Sequence, residues 1–240
     1  MEDTSIMRRN RSRICMCMLA LSLLVTLLAA CGGGTTTAPT STPKHTHPTP
    51  ARLPKGTVLF EADWSRGLTG WQATAGWKVL NGLLQSDESD TSTLTVPYRP
   101  AVTNYAIEFR ARIVKVPANN AAFGSFLISA DASPGRDGYK AVVIQIPGAG
   151  PHPLSVHPQV EVYTEPIDLS NPGTAHDQEF GSKWHAFRVE TQENLVNFSI
   201  DGQLSGRSAS KQTSILSNGP IKLVVSGIIL QVSDFRITVV

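Results

Sequence analysis

The stretch Asn104–Val116, NYAIEFRARIVKV, alternates between apolar and charged side chains. One set of alternate residues is apolar and the set between them is charged: Tyr105, Ile107, Phe109, Ala111 and Ile113 against Glu108, Arg110 and Arg112. Successive side chains of a β-strand point to opposite faces, so a period of two predicts a strand with one buried and one polar face. The stretch therefore predicts a β-sheet that covers an apolar core.

Seven further segments have the Val, Ile, Phe and Tyr content of strands: AFGSFLIS, YKAVVIQI, QVEVYTE, HAFRVETQ, LVNFSIDG, IKLVVSG and VSDFRITVV. Turn residues separate them at Asn81-Gly82, Pro134–Gly138, Asp201-Gly202 and Asn218–Pro220. No segment shows a sustained helical period with caps. The pattern predicts an all-β fold over residues 57–240, an antiparallel β-sandwich.

The N-terminus has the layout of a secretory signal peptide. Four arginines between Arg8 and Arg13 precede the mostly apolar run Ile14–Ala30, which is short for a membrane span. The next residue is Cys31, and Leu28-Ala29-Ala30-Cys31 resembles the lipobox of bacterial lipoproteins. The resemblance implies removal of residues 1–30 and a diacylglyceryl group on the Cys31 sulfur. A plain N-terminal membrane anchor is the alternative.

A lipid on Cys31 would hold the exported protein at the outer face of the cell membrane, or of an outer membrane if the cell has one. Residues 31–56 are rich in Gly, Thr and Pro and predict a linker between the lipid and a domain at 57–240. The other cysteines, Cys15 and Cys17, lie in the segment that is removed. The exported domain therefore has no thiol for a disulfide.

The charge distribution argues against nucleic acid as a partner. Residues 1–56 hold seven of the 21 basic and two of the 19 acidic side chains, so residues 57–240 carry a formal charge of −3. A nucleic-acid-binding domain should itself be basic. We expect the lipid membrane, and a polysaccharide or cell-wall glycan, as partners instead.

The segment LFEADWSRGLTGWQATAGWKVLNGLLQSD, residues 59–87, resembles the opening of concanavalin A-like lectin/glucanase domains, a superfamily that includes laminin G-like domains. WHAFRVETQENLVNFSIDGQL and the C-terminal GPIKLVVSGIILQVSDFRITVV are similar to later strands of the same superfamily. The resemblance implies a jelly-roll sandwich of two curved sheets that often binds sugar on the concave face or at loop tips. Parts of the chain are also similar to 3-keto-disaccharide hydrolase domains, whose central Asn-Ser-Gly strand is missing here.

Catalytic residues are hard to find in the sequence. Glucanases of this superfamily carry Glu-x-Asp-x-x-Glu on one strand, and no such spacing occurs here. The strand that corresponds best, YKAVVIQI, offers only Gln145. Glu161 and Glu165 share a predicted face, but they are four positions apart in the sequence. At about 3.3 Å per residue this is a distance of roughly 13 Å along a strand, too far for a pair of catalytic carboxylates. No G-x-S-x-G elbow is present, and Ser205 and Ser208 are predicted in loops.

The binding candidates lie on polar strand faces and at one turn: Glu108, Arg110, Gln145, Arg188, Glu190 and Trp71. The charged side chains could line a groove and bind sugar hydroxyls, or form cross-strand pairs on a solvated sheet face. Trp71 could stack on a sugar ring or, like most of the tryptophans, close the edge of the sandwich. The residues predict no cofactor. Calcium near Asp131 and Asp137 is an alternative that the resemblance suggests, and His152 and His157 lie in a predicted loop at 147–159.

These observations favour a surface lipoprotein whose β-sandwich is a non-catalytic binding module for carbohydrate. A glycan-active hydrolase of the glucanase or 3-keto-disaccharide hydrolase type is one alternative. A structural or protein-interaction domain at the cell surface is the other.

Replacing the lipidated residue tests the predicted anchor. Cys31→Ser should release the protein from membranes or leave an uncleaved precursor, because serine offers no sulfur for the diacylglyceryl group. Fractionation and intact-mass measurement would distinguish these results from the wild type. An unmodified Cys31 on a membrane-bound wild-type chain would contradict the prediction.

Overall fold

The computed structural model describes residues 53–88, 91–116, 124–133, 135–145, 155–164, 168–172, 174–175, 177–211 and 216–240, with the backbone alone at 168–172 and 174–175. The predicted signal peptide, Cys31 and most of the predicted linker lie outside these residues. One short 3-10 helix, Trp64–Arg66, occurs within them. No helix in the described ranges has the length and hydropathy needed to cross a bilayer.

The strands form two antiparallel sheets. Sheet A contains β1 (Val58–Glu61), β3 (Trp77–Leu80), β4 (Leu83–Ser86), β6 (Tyr105–Lys115), β11 (Thr174–Ala175), β13 (His185–Gln192), β14 (Leu195–Ile200), β15 (Gln203–Ala209) and β17 (Ile229–Val239). Sheet B contains β2 (Gln72–Ala73), β5 (Ser92–Thr95), β7 (Ser125–Ala130), β8 (Gly138–Gln145), β9 (Ser155–Thr164), β10 (Asp168–Pro172), β12 (Gln178–Glu179) and β16 (Ile221–Ser226).

Most neighbouring strands are distant in the sequence. The order in sheet A is β11-β15-β14-β13-β6-β17-β4-β3, with β1 beside β17, and the order in sheet B is β10-β9-β8-β7-β16-β5-β2, with β12 beside β9. All the strand pairs within the two sheets are antiparallel. The all-β antiparallel sandwich predicted from the sequence is thereby confirmed.

Strand β6 lies near the centre of sheet A and pairs with β13 on one side and β17 on the other. Its odd-numbered residues from Tyr105 to Ile113 are buried, whereas Glu108 and Arg112 are half-buried and Arg110 is exposed. The period-two prediction for this stretch is therefore confirmed. The apolar face covers the core and the charged face forms the outside of sheet A.

Aromatic side chains join the two sheets across the core. Phe109 stacks on Phe187 within sheet A at 4.9 Å between ring centroids, and Phe126 of sheet B meets Phe187 edge-on at 5.2 Å. Each is at most 3% exposed, and full burial of such a side chain stabilises the fold by about 2 kcal/mol. The hydroxyls of Tyr105 and Tyr139 also meet across the sheets at 2.8 Å. Burial raises the pKa of Tyr139 well above its ordinary value, so the phenol stays neutral.

A second aromatic cluster closes one edge of the sandwich. The Trp71 ring contacts Trp64, Phe60 and Phe235 at centroid distances of 5.1, 5.7 and 5.7 Å. The indole N–H of Trp64 donates to the Ser233 carbonyl. Trp71 therefore packs against the core instead of standing free for a ligand, in agreement with the edge-closing alternative.

Two of the predicted turns form tight hairpins. Asn81 and Gly82 connect β3 to β4 with φ of 51° and 73°, and Asp201 and Gly202 connect β14 to β15 with φ of 51° and 79°. Positive φ at both central residues is the geometry of a type I′ turn, which favours Asn or Asp followed by Gly. The turn dipeptides therefore set the register of these hairpins.

Two loop predictions were wrong. Ser205 and Ser208 lie in β15, where they are 1% and 4% exposed, because the Asp201-Gly202 turn continues the chain into a strand beside β14. Strand β9 begins at Ser155, inside the predicted loop 147–159, and includes Pro158. Pro158 pairs with Val143 of β8. On the other edge of β9, β12 pairs before Pro158 and β10 pairs after it, so no described strand on that edge needs the N–H that proline lacks.

Removing Trp71 should destabilise the fold more than removing Trp184. Trp71→Ala should lower the free energy of unfolding by about 3 kcal/mol, because it leaves a cavity among three rings. Trp184→Ala is the matched control, since its indole is half-buried beneath the Arg112 guanidinium, 4.8 Å away, and should cost about 1 kcal/mol. Urea denaturation followed by circular dichroism measures both. Equal losses would contradict the assignment of Trp71 to the core.

Candidate functional site

Each sheet has a depression on its outer face. The first, which we term the arginine cavity, has a volume of about 500 Å³ on sheet A and is lined by Glu61, Glu108, Phe109, Arg110, Ala186, Phe187, Arg188, Ser199, Gly202, Asp234, Phe235 and Arg236. The second, the lysine groove, measures about 290 Å³ on sheet B and is lined by Thr93, Leu127, Ser129, Asp131, Lys140, Tyr163, Lys222 and Val224. Most of the lining residues lie on paired strands, whose backbone positions their side chains. Register shifts occur in the arginine cavity between Val232 and Phe235 of β17 and between Phe198 and Ser199 of β14.

The strand register places three of the charged residues of the arginine cavity in one row. Glu108 of β6 stands opposite Arg188 of β13 and opposite Arg236 of β17. Its carboxylate accepts hydrogen bonds from both guanidinium groups, the contact to Arg236 measuring 2.7 Å. Arg188 also contacts Glu190 at 2.6 Å. The side chains in this row therefore have fixed positions before any ligand arrives.

Arg110 lies one row further along β6, opposite Ala186. Its guanidinium is exposed, and no carboxylate in the described part of the chain forms an ion pair with it. The nearby Asp201 accepts hydrogen bonds from the Ala186 amide at 2.8 Å and from His185 at 2.7 Å. Burial works against ionisation of Asp201, but the Ala186 amide, His185 and the Arg110 charge together lower the pKa of this carboxyl below its usual value.

The lysine groove combines a polar row with an apolar pair. Across strands β16, β7, β8 and β9, the register aligns Lys222, Ser129, Lys140 and Glu161. The next outward-facing row places Val224 opposite Leu127. Because the Ser129 side chain between the two lysines is small, a depression forms there. The aliphatic pair Leu127 and Val224 forms part of its floor.

Both lysines of the groove form ion pairs. Lys140 contacts Glu161 at 2.7 Å, and Lys222 contacts Asp131 at 2.6 Å. The two pairs differ in burial, because the Glu161 side chain is 11% exposed and that of Asp131 is 32% exposed. Glu161 also accepts a hydrogen bond from Gln159 at 2.9 Å. The charged groups are thus held at defined positions on the face of the sheet.

Tyr163 borders one end of the lysine groove, and the position of its ring requires a glycine at residue 138. Its hydroxyl donates to the Ala130 carbonyl at 3.2 Å, which brings the ring across Gly138. A Cβ on Gly138 would lie 2.8 Å from the Tyr163 ring and 2.5 Å from the Ala132 nitrogen. A side chain at residue 138 would therefore displace the tyrosine from the groove.

The structure brings together four of the six binding candidates from the sequence. Glu108, Arg110 and Arg188 line the arginine cavity, and Glu190 contacts Arg188 beside it. Gln145 does not join them. It lies on sheet B, and its side chain is on the inward face of β8 together with Tyr139 and Val143. The expectation that Gln145 projects from the polar face was therefore wrong. Trp71, the sixth candidate, belongs to the edge cluster.

The catalytic and metal candidates do not converge on one centre in the described residues. Glu165 and His152 lie outside them, and His157 stands on β9 with its ring 2.6 Å from Asp177. Asp131 is half-buried beside Lys222, whereas Asp137 is 2% exposed and accepts a hydrogen bond from Ser210. No group of three or more His, Cys, Asp or Glu side chains in the described ranges is placed to hold a metal ion.

The sequence interpretation missed the lysine groove. Lys140 alternates with Tyr139 in β8, so the period-two rule applied to YKAVVIQI would have placed Lys140 on the outer face and Gln145 on the inner one. No local signal could have found Lys222 as its neighbour. Strand β16 comes to lie beside β7 only through pairing of segments about 90 residues apart.

No family model matches the sequence, and no curated protein matches it. Several solved structures share its fold. The laminarinase catalytic domain of Thermotoga maritima has a TM-score of 0.52 and 12% identity, and the match covers 78% of this chain and 99% of that one. The laminarinase of Rhodothermus marinus has a TM-score of 0.54 and 12% identity, with 78% and 98% covered.

A Bacillus subtilis protein of unknown function with a galectin-like fold is also similar. Its TM-score is 0.54 at 13% identity, and the match covers 77% of this chain and 97% of that one. At these identities the likeness shows the fold alone. The fold is the concanavalin A-like jelly-roll sandwich that the sequence resemblance implied.

Breaking the more buried lysine pair should destabilise the protein. Lys140→Met should cost about 2 kcal/mol at neutral pH, because it leaves the Glu161 carboxylate nearly buried and without a cation. Lys222→Met is the control and should cost less than about 1 kcal/mol, since Asp131 is better solvated. Urea denaturation at neutral pH measures this order, and a greater loss for Lys222→Met would contradict it.

Proposed function

We propose that the protein is a non-catalytic carbohydrate-binding module, held at the outer surface of the cell by a lipid on Cys31 and carried on the linker 31–56. The observation that carries the binding function is the lysine groove on sheet B. Two of the solved structures with this fold are laminarinases, which is consistent with a carbohydrate ligand.

The lysine groove has the mixed surface that a sugar ring requires. A pyranose presents an apolar C–H face and a rim of hydroxyls. Leu127 and Val224 offer an aliphatic surface to the first, while Lys140, Lys222 and Asp131 offer charged partners to the second. Because ion pairs already fix the charged groups, a ligand needs to order few side chains on binding.

The groove is better suited to binding than to hydrolysis. Hydrolysis with two carboxylates needs one of them protonated as the acid and the other ionised. Asp131 and Glu161 are each engaged by a lysine ammonium at 2.6 and 2.7 Å. The outer face of β8, the strand that the sequence resemblance matches to the glucanase catalytic strand, carries Lys140 followed by the aliphatic Val142 and Ile144.

The affinity expected from such a groove is modest. Each hydrogen bond to a sugar hydroxyl replaces one to water and gives a net gain of about 1 kcal/mol. A few of these bonds, with contact to two aliphatic side chains, correspond to dissociation constants from roughly millimolar to micromolar.

Filling the groove should abolish binding without unfolding the protein. Val224→Arg places a long side chain on a half-buried outer position of sheet B, and Val114→Arg is the matched control on the outer face of sheet A. A glycan array on the purified chain identifies a ligand, and calorimetry then compares the variants. We expect binding to weaken more than about tenfold in Val224→Arg alone.

Three results would contradict the proposal. Equal binding by both arginine variants would exclude the lysine groove as the site. Release of sugar products by the pure protein, abolished by Glu161→Gln or Asp131→Asn, would favour the hydrolase alternative. Absence of binding to every glycan on the array would favour a structural or protein-interaction role.

A further inference from the structure

The arginine cavity lies on the opposite face of the sandwich from the lysine groove. Small residues form its base, because the register places Ala186 of β13 opposite Arg110 of β6 and Ser199 of β14 opposite Arg188 of β13, and Gly202 follows in the adjacent turn. Its volume of about 500 Å³ lies within the range of small-molecule sites, and it is the larger of the two depressions.

Part of the cavity wall is rigid before any ligand binds. Glu108 accepts from Arg188 and Arg236 together, and Arg188 is held from its other side by Glu190. The exposed fractions of the Glu108, Glu190 and Arg188 side chains are 23, 20 and 33%, so this network is half-sheltered from solvent. Such a wall costs a ligand little conformational entropy.

Three other charged groups of the same cavity form no close ion pair within the described ranges. Arg110 of β6 lies across from the irregular segment of β17 that holds Asp234, and Glu61 of β1 lies opposite Arg236. None of Arg110, Glu61 and Asp234 forms an ion pair with the described residues. Within the described part of the chain, Asp234 accepts a hydrogen bond from the neighbouring Ser233 hydroxyl, at 2.9 Å. The cavity therefore offers a ligand one guanidinium and two carboxylates that form no ion pair with the described residues.

These groups select against a ligand with a net charge. The lining holds three arginines and three carboxylates, so its formal charge is zero. An anion attracted to Arg110 would meet Glu61 and Asp234, and a cation attracted to these carboxylates would meet Arg110. A hydroxyl group both donates and accepts hydrogen bonds, so neighbouring hydroxyls can satisfy a guanidinium and a carboxylate together.

We infer that the arginine cavity is a second carbohydrate site, independent of the lysine groove, that binds a short neutral saccharide. The saccharide accepts hydrogen bonds from Arg110 and donates to Glu61 and Asp234, while the Glu108 network holds the wall in place. With sites on both outer faces, one domain engages two saccharide segments at once. Binding to a long polymer then exceeds the affinity of either site alone.

The test isolates the cavity by working with the Val224→Arg full chain, whose groove is filled. Laminaritetraose, cellotetraose and chitotetraose serve as neutral probes at millimolar concentration, with tetragalacturonate and tetraglucosamine as charged ones. Amide chemical shifts in two-dimensional NMR report the place of binding. We expect a neutral probe to shift Ala186, Ser199 and Gly202, and to bind more tightly than either charged probe.

Three substitutions in that background complete the test. Arg110→Ala should weaken binding roughly tenfold, because a hydrogen bond from a charged donor is lost. Ala186→Trp should abolish it, because the indole fills the base of the cavity. Arg207→Ala is the control on the same sheet face, where Arg207 contacts Asn197 at 2.8 Å and does not line the cavity, and it should leave binding unchanged.

The inference is overturned if no neutral probe shifts the cavity amides, if a charged probe binds more tightly, or if Arg207→Ala weakens binding as much as Arg110→Ala. Since the groove is filled throughout, none of these results depends on whether the lysine groove binds glycan. Thermal unfolding of each variant separates loss of binding from loss of fold.

Discussion

The alternation of side chains along β6 is the constraint on which both the core and the arginine cavity depend. With β13 on one side and β17 on the other, β6 directs Phe109 inward to Phe187 and directs Glu108 outward to Arg188 and Arg236. A register slip of one residue would reverse the faces, placing Glu108 and Arg110 in the core. The cost of burying those charges fixes the register, and the register in turn positions the cavity.

The two outer faces hold their charged side chains in place with different kinds of ion pair. On sheet A, one carboxylate is shared between two planar guanidinium groups, which hold it at a fixed angle. On sheet B, each lysine serves one carboxylate, and an aliphatic pair lies alongside. Both arrangements leave polar groups at fixed places on a rigid sheet, which suits recognition of hydroxyls by complementarity instead of by mobile loops.

Local pattern predicted a substantial part of this arrangement. The alternation of NYAIEFRARIVKV and the Asn-Gly and Asp-Gly turns identified strands and hairpins, because period and turn geometry are properties of short segments. Parity along β6 and β13 also grouped Glu108, Arg110, Arg188 and Glu190 correctly on one face. The prediction for Gln145 was wrong because a polar side chain was expected on the outer face, whereas the alternation along β8 places residue 145 on the inner face. The Lys222–Asp131 pair depends on the long-range neighbours β16 and β7, which no local pattern reveals.

The central claim is that this sandwich binds intact saccharide on the outer faces of its sheets. A crystal structure of the full chain grown with a neutral oligosaccharide from the glycan array tests it most directly. We expect an uncleaved sugar whose C–H face lies against Leu127 and Val224, with hydroxyls within hydrogen-bond distance of Lys140 or Lys222. A sugar bound only at the loops beyond the sheets would exclude binding on the sheet faces, and cleaved products beside Glu161 would show hydrolysis instead of binding.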